Sequence, residues 1–298
     1  MRNKLKEIEE YRSNPAVSQS KLKEYLGMTP PSQSTAFKGS LVDGLLTMNE
    51  HVDDMFIIGN DDYPDQSSVT YKMVDYMVNN DMAFSDENIL EVYDLFEHQQ
   101  RWKSDTKIKN FEQYYDFYEF MKLKEDKTVV SEADFAHATN IVERLKEYIP
   151  NNVEFQVPVY NELHGIMCKG LIDFVDKSDT EFVIWDLKVL SVKIRDIKYS
   201  LRKMRTDFQL SFYRDILGTK ALPKVLVYSN IDNDIAVYDM TEMDMEIGKW
   251  GFSKRHFMEV NNGSDISFAY DTVVHGYHDA LNMYAGVYKH KKQETLWM

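Results

Sequence analysis

GLIDFVDKSDTEFVIWDLKVL, residues 170–190, contains two short apolar runs separated by the polar segment 177–180. Each run has the length and composition of a buried β-strand, and the polar segment between them predicts a hairpin turn. Buried strands rarely carry charged side chains, yet Asp173 lies in the first run and Asp186 lies in the second, followed by Lys188. The stretch therefore predicts a buried hairpin that brings acidic and basic side chains together.

The spacing of these residues predicts how their side chains meet. Alternate residues of a strand share a face, so Asp186 and Lys188 point the same way and Leu187 points the other way. A hairpin through the predicted turn sets Asp173 opposite residue 184, or opposite Asp186 if the register shifts by one step. In either register the two carboxylates lie about 5–8 Å apart at Cβ, close enough to bind one ion.

Two buried carboxylates repel each other and lose hydration, and a hard divalent cation offsets both costs. We expect Asp173 and Asp186 to bind Mg²⁺, which takes oxygen ligands and keeps positions for water and phosphate. The carbonyl of Leu187 can add a further oxygen ligand. Lys188 can stabilise charge on a phosphate or act on the attacking water, a layout suited to metal-assisted phosphodiester hydrolysis. A surface hairpin with a salt bridge would also produce a bare D-x-K pattern, but the flanking apolar runs favour buried strands.

The composition limits the classes of protein to which the chain can belong. A length of 298 residues suits one large domain, or a core domain with an insertion. The single cysteine, Cys168, excludes disulfides and cysteine-ligated zinc or iron–sulfur sites within one chain. No apolar run approaches the ~18 residues of a membrane span, and the polar N-terminal segment lacks the apolar core of a signal peptide. We expect a cytoplasmic protein.

Hydrophobic periodicity predicts an α/β fold, with a mixed central sheet between helical blocks. Short helices are expected at 18–26 and 34–48, and strands at 153–160, 165–175, 181–190, 224–230 and 234–240. We treat residues 1–298 as one domain, in which 53–149 forms a mostly helical insertion with an irregular acidic start at 53–72. Residues 150–240 form the catalytic sheet and a basic helix, and residues 241–298 form a C-terminal helical region.

Several short patterns occur together in one order along the chain. They are SQSKL at 18–22, GSLVDGLL at 39–46, VEFQVPV from Val153, CKGLID at 168–173, WDLKV at 185–189 and QLSFY at 209–213. The set resembles the PD-(D/E)XK nucleases, and specifically the RecE/lambda-exonuclease group of phage recombination exonucleases. The chain departs from that group at two positions. Ile172 replaces the usual proline before the first aspartate, and Asp43 stands where the group has histidine or glutamate.

The resemblance implies a role for each matched residue. The ligands of Mg²⁺ or Mn²⁺ would be Asp173, Asp186, the carbonyl of Leu187 and Asp43. The catalytic residues would be Lys188, Asp186, Asp173 and Gln209, with Gln209 orienting the water, the lysine or a phosphate. Tyr213 and Glu154 would support the site. Ordinary helix packing would equally explain Gln209 and Tyr213, and a solvated surface acid would explain Asp43 or Glu154.

A basic stretch follows the proposed site in a chain whose formal net charge is -14. Its cations are Lys193, Arg195, Lys198, Arg202, Lys203 and Arg205. Contacts to phosphate supply most of the affinity of proteins for DNA, so this stretch is the predicted DNA-binding surface. A solvated helix face is the alternative interpretation.

The resemblance implies a restriction-endonuclease-like fold and a metal-dependent exonuclease that acts on the ends of double-stranded DNA. It also implies a homo-oligomer, a single-strand annealing protein as partner, and the host cell cytoplasm as location if a phage encodes the chain. Two alternatives stay open. One is a structure-specific or restriction-type endonuclease on the same fold, and the other is a non-cleaving nuclease-fold protein that binds DNA or acts as an inhibitor.

Overall fold

The computed structural model describes residues 4–28, 33–60, 62–124, 127–178, 180–252 and 274–295. Its helices are α1 (Lys4–Ser13), α2 (Gln19–Tyr25), α3 (Gln33–Thr47), α4 (Val52–Met55), α5 (Val69–Asn79), α6 (Asp86–Leu95), α7 (Ser104–Glu112), α8 (Tyr115–Lys124), α9 (Glu132–Leu145), α10 (Ile197–Lys203), α11 (Thr206–Leu217), α12 (Glu242–Trp250) and α13 (Tyr277–Thr295). Its strands are β1 (Val17–Ser18), β2 (Phe56–Gly59), β3 (Thr128–Ser131), β4 (Val153–Leu163), β5 (Ile166–Asp176), β6 (Val183–Leu190), β7 (Lys224–Ser229), β8 (Asp234–Asp239), β9 (Gly251–Phe252) and β10 (Val274–His275). Short 3-10 helices run over Asn49–His51, Lys146–Tyr148 and Ile194–Asp196.

A mixed sheet in the order β1-β5-β6-β7-β8, with β4 also paired to β5, carries the predicted hairpin. β4 runs antiparallel along the whole of β5, while β1 pairs in parallel with β5 only at Cys168 and Lys169. β6 is antiparallel to β5 and parallel to β7, and β8 is antiparallel to β7. The predicted mixed α/β sheet with flanking helices is confirmed.

The register of the β5–β6 hairpin corresponds to one of the two predicted alternatives. The pairing joins Phe174 to Trp185, Val175 to Ile184 and Asp176 to Val183. Residue 184 therefore faces Val175, and the same register continued by one residue sets Asp173 opposite Asp186. The ladder between β5 and β6 stops at that step, although β6 continues to pair with β7 as far as Leu190.

β5 also organises the N-terminal helix. The ammonium of Lys169 donates hydrogen bonds to the carbonyls of Tyr11 at 2.7 Å, Arg12 at 3.3 Å and Asn14 at 2.7 Å. These carbonyls lie at the C-terminal end of α1, where helical carbonyls lack intrahelical partners and favour a positive charge. The lysine of the CKGLID pattern thus attaches α1 to the central sheet.

Helices α3 and α11 both pack against β5 and β6. The fully buried side chains of α11 include Phe208, Leu210 and Phe212, which share one core with Ile172 of β5 and Val225 of β7. The predicted basic helical segment consists of two helices, because Arg205 between them has the left-handed backbone angle φ 54°. This turn redirects the chain so that α11 packs on the sheet.

Residues 50–139 form a second compact unit, while residues 1–49 and 140–298 form the first. In the second unit β2 and β3 make a two-stranded parallel sheet, and helices α5 to α8 enclose an apolar core of Met, Val and aromatic side chains. The irregular start predicted at 53–72 is wrong in part, since it contains α4 and β2. That the predicted segment 53–149 is an insertion stays a prediction.

Ser18 accepts a hydrogen bond from the amide of Lys21 and caps α2, and Ser85 caps α6 in the same way. Such polar caps satisfy amides that the first turn of a helix leaves without partners. In the described part of the chain, no helix is long and apolar enough to cross a membrane.

Gly248 of α12 gives a test of the packing between α11 and α12. A Cβ at this position would lie 2.1 Å from the backbone carbonyl oxygen of Asp207, and backbone cannot move aside as a flexible side chain can. Gly248→Ala should therefore lower the free energy of unfolding by about 1–3 kcal/mol or more. Gly39 of α3 is the matched control, since a Cβ there meets no described atom within 4 Å.

Gly39→Ala should leave stability unchanged or raise it by up to about 1 kcal/mol. Urea unfolding curves of both variants would measure the difference. Equal effects of the two substitutions would contradict the close contact at Gly248. The comparison also tests whether Gly39 is needed for a close contact, as Gly248 is, because the GSLVDGLL pattern by itself does not show this.

Candidate active site

The hairpin places Asp186 at the centre of a hydrogen-bonded cluster. Its Oδ1 accepts a 2.6 Å bond from the Lys188 ammonium and a 2.9 Å bond from Nε2 of Gln209. Asp186 is only 2% exposed, and its Oδ2 has no hydrogen-bond partner among the described residues. A buried carboxylate oxygen without a partner is costly, so this atom is poised to accept a ligand.

Asp173 lies across from Asp186, where the β5–β6 ladder ends. Its Oδ2 accepts a 2.7 Å hydrogen bond from the backbone amide of Leu187. The side chain therefore binds a β6 amide at the first step beyond the backbone ladder. In a strand the amide and carbonyl of one residue point to the same side, and the Lys188 ammonium lies 3.5 Å from the Leu187 carbonyl oxygen. The Leu187 carbonyl and the two carboxylates thus border one opening between the strands.

The charges of the cluster are strongly coupled. Burial raises the pKa of Asp173 well above its usual range, and the neighbouring carboxylates of Asp186 and Asp43 raise it further. Burial alone would lower the pKa of Lys188, but the charges of Asp186, Asp173 and Asp43 outweigh it and raise the pKa above its ordinary value. Lys188 is therefore an ammonium at neutral pH, and it offsets part of the negative charge.

Asp43 reaches the cluster from α3. Both of its carboxylate oxygens accept hydrogen bonds from Nε2 of Gln156, at 3.2 and 3.0 Å, and the same nitrogen lies 3.3 Å from the hydroxyl of Thr47. Burial raises the pKa of Asp43 to about 6, although the charge of Lys188 and the bond from Gln156 act against the increase. Asp43 belongs to the same electrostatic system as Asp173 and Asp186.

Gln209 and Tyr213 extend from α11 towards the hairpin. Gln209 donates to Asp186 and lies beside the Tyr213 hydroxyl: burial raises the pKa of Tyr213, and the Gln209 side chain acts against that increase. The Tyr213 ring packs over Gly170, where a Cβ would lie 2.8 and 2.9 Å from two of its ring carbons. Glycine at position 170 is what lets the ring lie against β5, so Tyr213 braces Gln209 against the sheet.

Glu154 and Arg205 lie outside the cluster, contrary to the roles expected of them. Glu154 is half-exposed, lies opposite Val175 of β5 and forms an ion pair with Lys177, so it is a surface residue beside the turn that follows β5. Arg205 is 8% exposed and donates to the Asp207 carboxylate at 3.2 Å and to the carbonyl of His275 at 3.1 Å. Its guanidinium supports the α10–α11 turn, and burial removes it from any DNA-binding surface.

Four of the other predicted DNA-binding cations are exposed. They are Lys193, Arg195, Lys198 and Lys203. Arg202 is partly buried, and its guanidinium lies 3.8 Å from the Asp244 carboxylate. Two of the exposed cations precede α10 and two lie in it. The accessible basic surface therefore contains fewer cations than the sequence pattern predicts.

Two residues of the site are absent from the sequence expectations. Gln156 is 5% exposed and has φ 47°, a left-handed angle that is rare inside a strand and typical of functional sites. A glutamine inside an apolar strand, in VEFQVPV, is the signal that would have found it. Lys23 of α2 is near enough to Lys188 for the positive charge of Lys188 to lower the pKa of Lys23. Its only signal in the sequence is its place within the pattern SQSKLKEY, residues 18–25.

The donor set fits a hard divalent cation, because every candidate ligand atom is an oxygen and Oδ2 of Asp186 is without a partner. In the part of the chain that the structure describes, however, no three acidic, histidine or cysteine side chains converge closely enough to hold an ion as they stand. Asp43 is bound to Gln156, and the Lys188 ammonium lies on Asp186. Ion binding by three such side chains therefore requires them to move closer together.

Asp43→Asn should stabilise the metal-free protein at about pH 8. Because folding raises the pKa of Asp43 to about 6, the folded chain holds a proton that the unfolded chain releases near pH 4. The free energy of unfolding therefore falls as pH rises between these values, and the ionised group destabilises the fold above them. Removing the charge should raise the free energy of unfolding by about 1–3 kcal/mol at pH 8 and change little near pH 4.

Thermal melting in chelator at both pH values measures this effect, with the exposed Asp62 as the site of the control substitution Asp62→Asn. Saturating Mg²⁺ should raise the melting temperature of the wild type more than that of Asp43→Asn. Loss of stability at both pH values in the Asp43 variant would show that the carboxylate is needed as an acceptor for Gln156 and is not a costly buried charge.

No curated protein matches the chain in sequence. Among solved structures, a candidate exonuclease from Eubacterium rectale is 16% identical, over 78% of this chain and 84% of its own, with a TM-score of 0.34. The protein SSO0001 is 13% identical, over 45% of this chain and 65% of its own, with a TM-score of 0.28. Both TM-scores are below 0.5, so neither likeness bears on the activity of this chain.

The family comparison covers more than half of the chain. Residues 91–282 match the family model of the PD-(D/E)XK nuclease superfamily. The match includes β4 to β8 and α11, and hence Asp173, Asp186, Lys188 and Gln209. Asp43 lies before the matched region. The mixed sheet with its flanking helices is the restriction-endonuclease-like fold, and the chain belongs to the PD-(D/E)XK nuclease superfamily.

Proposed function

We propose that the protein is a metal-dependent DNA exonuclease that hydrolyses phosphodiester bonds at the ends of double-stranded DNA, in phage-type recombination. The observation that carries this proposal is the meeting of Asp173, Asp186 and Lys188 where β5 and β6 separate. Membership of a nuclease superfamily supports hydrolysis of nucleic acid. The restriction to duplex ends rests on the resemblance to the RecE/lambda-exonuclease group.

The residues of the opening would hold one or two divalent ions, Mg²⁺ or Mn²⁺, through Asp173, Asp186 and the Leu187 carbonyl, with Asp43 as a further ligand. Bound there, such an ion activates water and stabilises the charge that develops on phosphate. Asp186 presents Oδ2, because Gln209 and Lys188 occupy Oδ1. Gln209 holds the plane of that carboxylate, and Tyr213 holds Gln209.

Lys188 acts in this proposal as an ammonium and not as a base. The charges of Asp186, Asp173 and Asp43 raise its pKa in the metal-free protein and keep the proton on Nζ at neutral pH, so it can donate to a non-bridging phosphate oxygen. The side chain is 21% exposed, which leaves the ammonium accessible to a substrate. Movement of Nζ from Asp186 to a phosphate would free Oδ1 at the same moment.

The exposed cations before and along α10 supply a surface for the DNA backbone. The chain reaches α11, and hence Gln209, directly after α10, so this surface leads to the cluster. Phosphate contacts of this kind are independent of base sequence, which suits an enzyme that moves along duplex DNA. A homo-oligomer, a single-strand annealing partner and the cytoplasm of a phage host complete the proposal on the strength of the resemblance.

Linear duplex DNA should be degraded in Mg²⁺ or Mn²⁺, whereas nicked circular duplex should stay intact. Ca²⁺ should support binding without cleavage, and chelator should abolish cleavage, because attack on phosphate needs the tight octahedral geometry of the smaller ions. Labels at the 5′ or 3′ ends of the linear duplex would report the polarity. Lys188→Met should lower the rate by about 10²–10³-fold or more, since it removes a donor to the phosphate.

The same assay separates the alternatives. Cleavage of the nicked circle would favour a structure-specific or restriction-type endonuclease. Binding of linear duplex with no cleavage in any of these ions would favour a non-cleaving DNA-binding or inhibitor protein. Wild-type rates in excess chelator, or in Lys188→Met, would overturn the mechanism whichever DNA is cut.

The surface cations give an independent prediction. Lys198→Ala combined with Lys203→Ala should weaken binding to duplexes of any sequence, and should reduce the slope of log affinity against log salt by about 2, since two phosphate contacts are lost. Arg205→Met should lower thermal stability and leave the salt slope unchanged, because that guanidinium is buried on Asp207. A salt series in Ca²⁺ measures both. A normal slope in the double variant would remove α10 from the DNA-binding surface.

A further inference from the structure

Lys23 projects from α2 towards the same cluster and has an unusual hydrogen-bonding environment. Its ammonium donates a 3.1 Å hydrogen bond to the carbonyl of Met204, at the end of α10. The ammonium also lies 5.9 Å from the centre of the Phe208 ring. Within the residues that the structure describes, no carboxylate lies within ion-pair distance of it. The nearby acid Asp207 is already bound to Arg205.

Three other lysines with buried or partly buried side chains have stronger partners, whereas Lys124 resembles Lys23 in donating to one neutral oxygen, the Tyr71 hydroxyl. Lys107 lies 2.9 Å from the Asp94 carboxylate, and Lys188 lies 2.6 Å from that of Asp186. Lys169 of β5 has no carboxylate partner among the described residues, but it donates to three carbonyls at the C-terminal end of α1. Among the described residues, Lys23 has one hydrogen-bond acceptor, the Met204 carbonyl, for three N–H groups. Two donors of a partly buried cation are therefore left for water or a ligand.

The charges around Lys23 also favour an anion. Burial, followed by the positive charge of Lys188, lowers the pKa of Lys23 to about 8. Asp186 offsets part of the repulsion between the two ammonium groups, and a bound anion would offset more of it. Phosphate is the anion that the proposed function brings to this point. It has non-bridging oxygens that can accept from more than one ammonium group.

We propose that Lys23 binds a non-bridging oxygen of a DNA backbone phosphate beside the carboxylate cluster, and so is a substrate-binding residue of this site. The proposal rests on the proposed nuclease function and adds a second cation to Lys188. The two lysines approach from different elements, α2 and β6. A phosphate between them would be held from two sides. The α10–α11 turn lies next to Lys23, because the Met204 carbonyl of that turn accepts the hydrogen bond from Lys23.

Two substitutions at position 23 separate a substrate contact from a helix cap. Lys23→Met removes the charge and the hydrogen bond but keeps the apolar stem over Phe208. Lys23→Gln removes the charge and keeps a donor for the Met204 carbonyl. The control is Lys21→Met, which removes a charge from the exposed side of the same helix. Binding of linear duplex is measured in Ca²⁺ across a salt series, with cleavage in Mg²⁺ and thermal melting in chelator.

Both Lys23 variants should bind duplex roughly 10–100-fold more weakly and reduce the salt slope by about 1. Their melting temperatures in chelator should equal or exceed that of the wild type, because an unpaired cation has been removed. The affinity of Lys21→Met for duplex should be much closer to that of the wild type. Duplexes in which one phosphate is replaced by a neutral methylphosphonate then locate the contact. At one position the replacement should weaken binding by the wild type but should not weaken binding by Lys23→Gln further.

Wild-type affinity in Lys23→Gln together with a lower melting temperature in Lys23→Met would overturn the proposal, since Lys23 would then serve only to cap α10. Equal losses in the Lys21 and Lys23 variants would also overturn it, because a general charge effect would suffice. Failure of the wild type to bind or cleave DNA would instead refute the proposed nuclease function. If Lys23→Met does not fold, the methylphosphonate comparison with Lys23→Gln still decides the question.

Discussion

The site depends on the point at which β5 and β6 stop pairing. The backbone ladder ends at Phe174 and Trp185, and the next bond between the strands is donated by the Leu187 amide to the Asp173 side chain. A carboxylate in this position satisfies an amide that would otherwise be buried without a partner. It also holds the two strands apart, because a side chain now occupies the space of a backbone hydrogen bond. The opening that results is where the other functional groups meet.

Three acids around one opening would be unstable without compensating groups. The chain supplies the compensation from elements distant in sequence: Lys188 and Gln209 act on Asp186, and Gln156 acts on Asp43. The raised pKa values of Asp43 and Asp173 show that this compensation is incomplete in the absence of a cation. Under the proposed function, a site with surplus negative charge would attract divalent ions and repel the DNA backbone, so ion binding would precede productive contact with phosphate.

Much of the hairpin was predictable because its pattern is local. Strand length, the turn and the alternation of side chains place Asp173, Asp186 and Lys188 without knowledge of the remaining chain. The two registers could not be separated in that way, because only the paired residues 174–176 and 183–185 distinguish them. Glu154 and Gln156 show the same limit. Strand alternation puts both on one face, so it does not distinguish Gln156, which meets Asp43, from Glu154, which pairs with Lys177 at the surface.

The patterns shared with the nuclease group acquire separate physical causes in this structure. In CKGLID, Lys169 binds the end of α1, Gly170 admits the Tyr213 ring, and only Asp173 belongs to the acidic cluster. In the Q-x-x-x-Y pair of α11, Gln209 contacts Asp186 and Tyr213 supports it. A single pattern can therefore combine packing at one position with contacts in the acidic cluster at the next.

The basic stretch shows why a run of cations overstates a binding surface. Arg205 is buried on Asp207, and Arg202 approaches Asp244, so both serve the fold at least in part. Lys23, by contrast, lies far from this run in sequence but near the acidic cluster in space. In a chain with net charge -14, long-range attraction of DNA is weak, and the few cations beside the site must act at short range. Affinity for DNA should then depend on specific contacts at the opening more than on the overall charge of the protein.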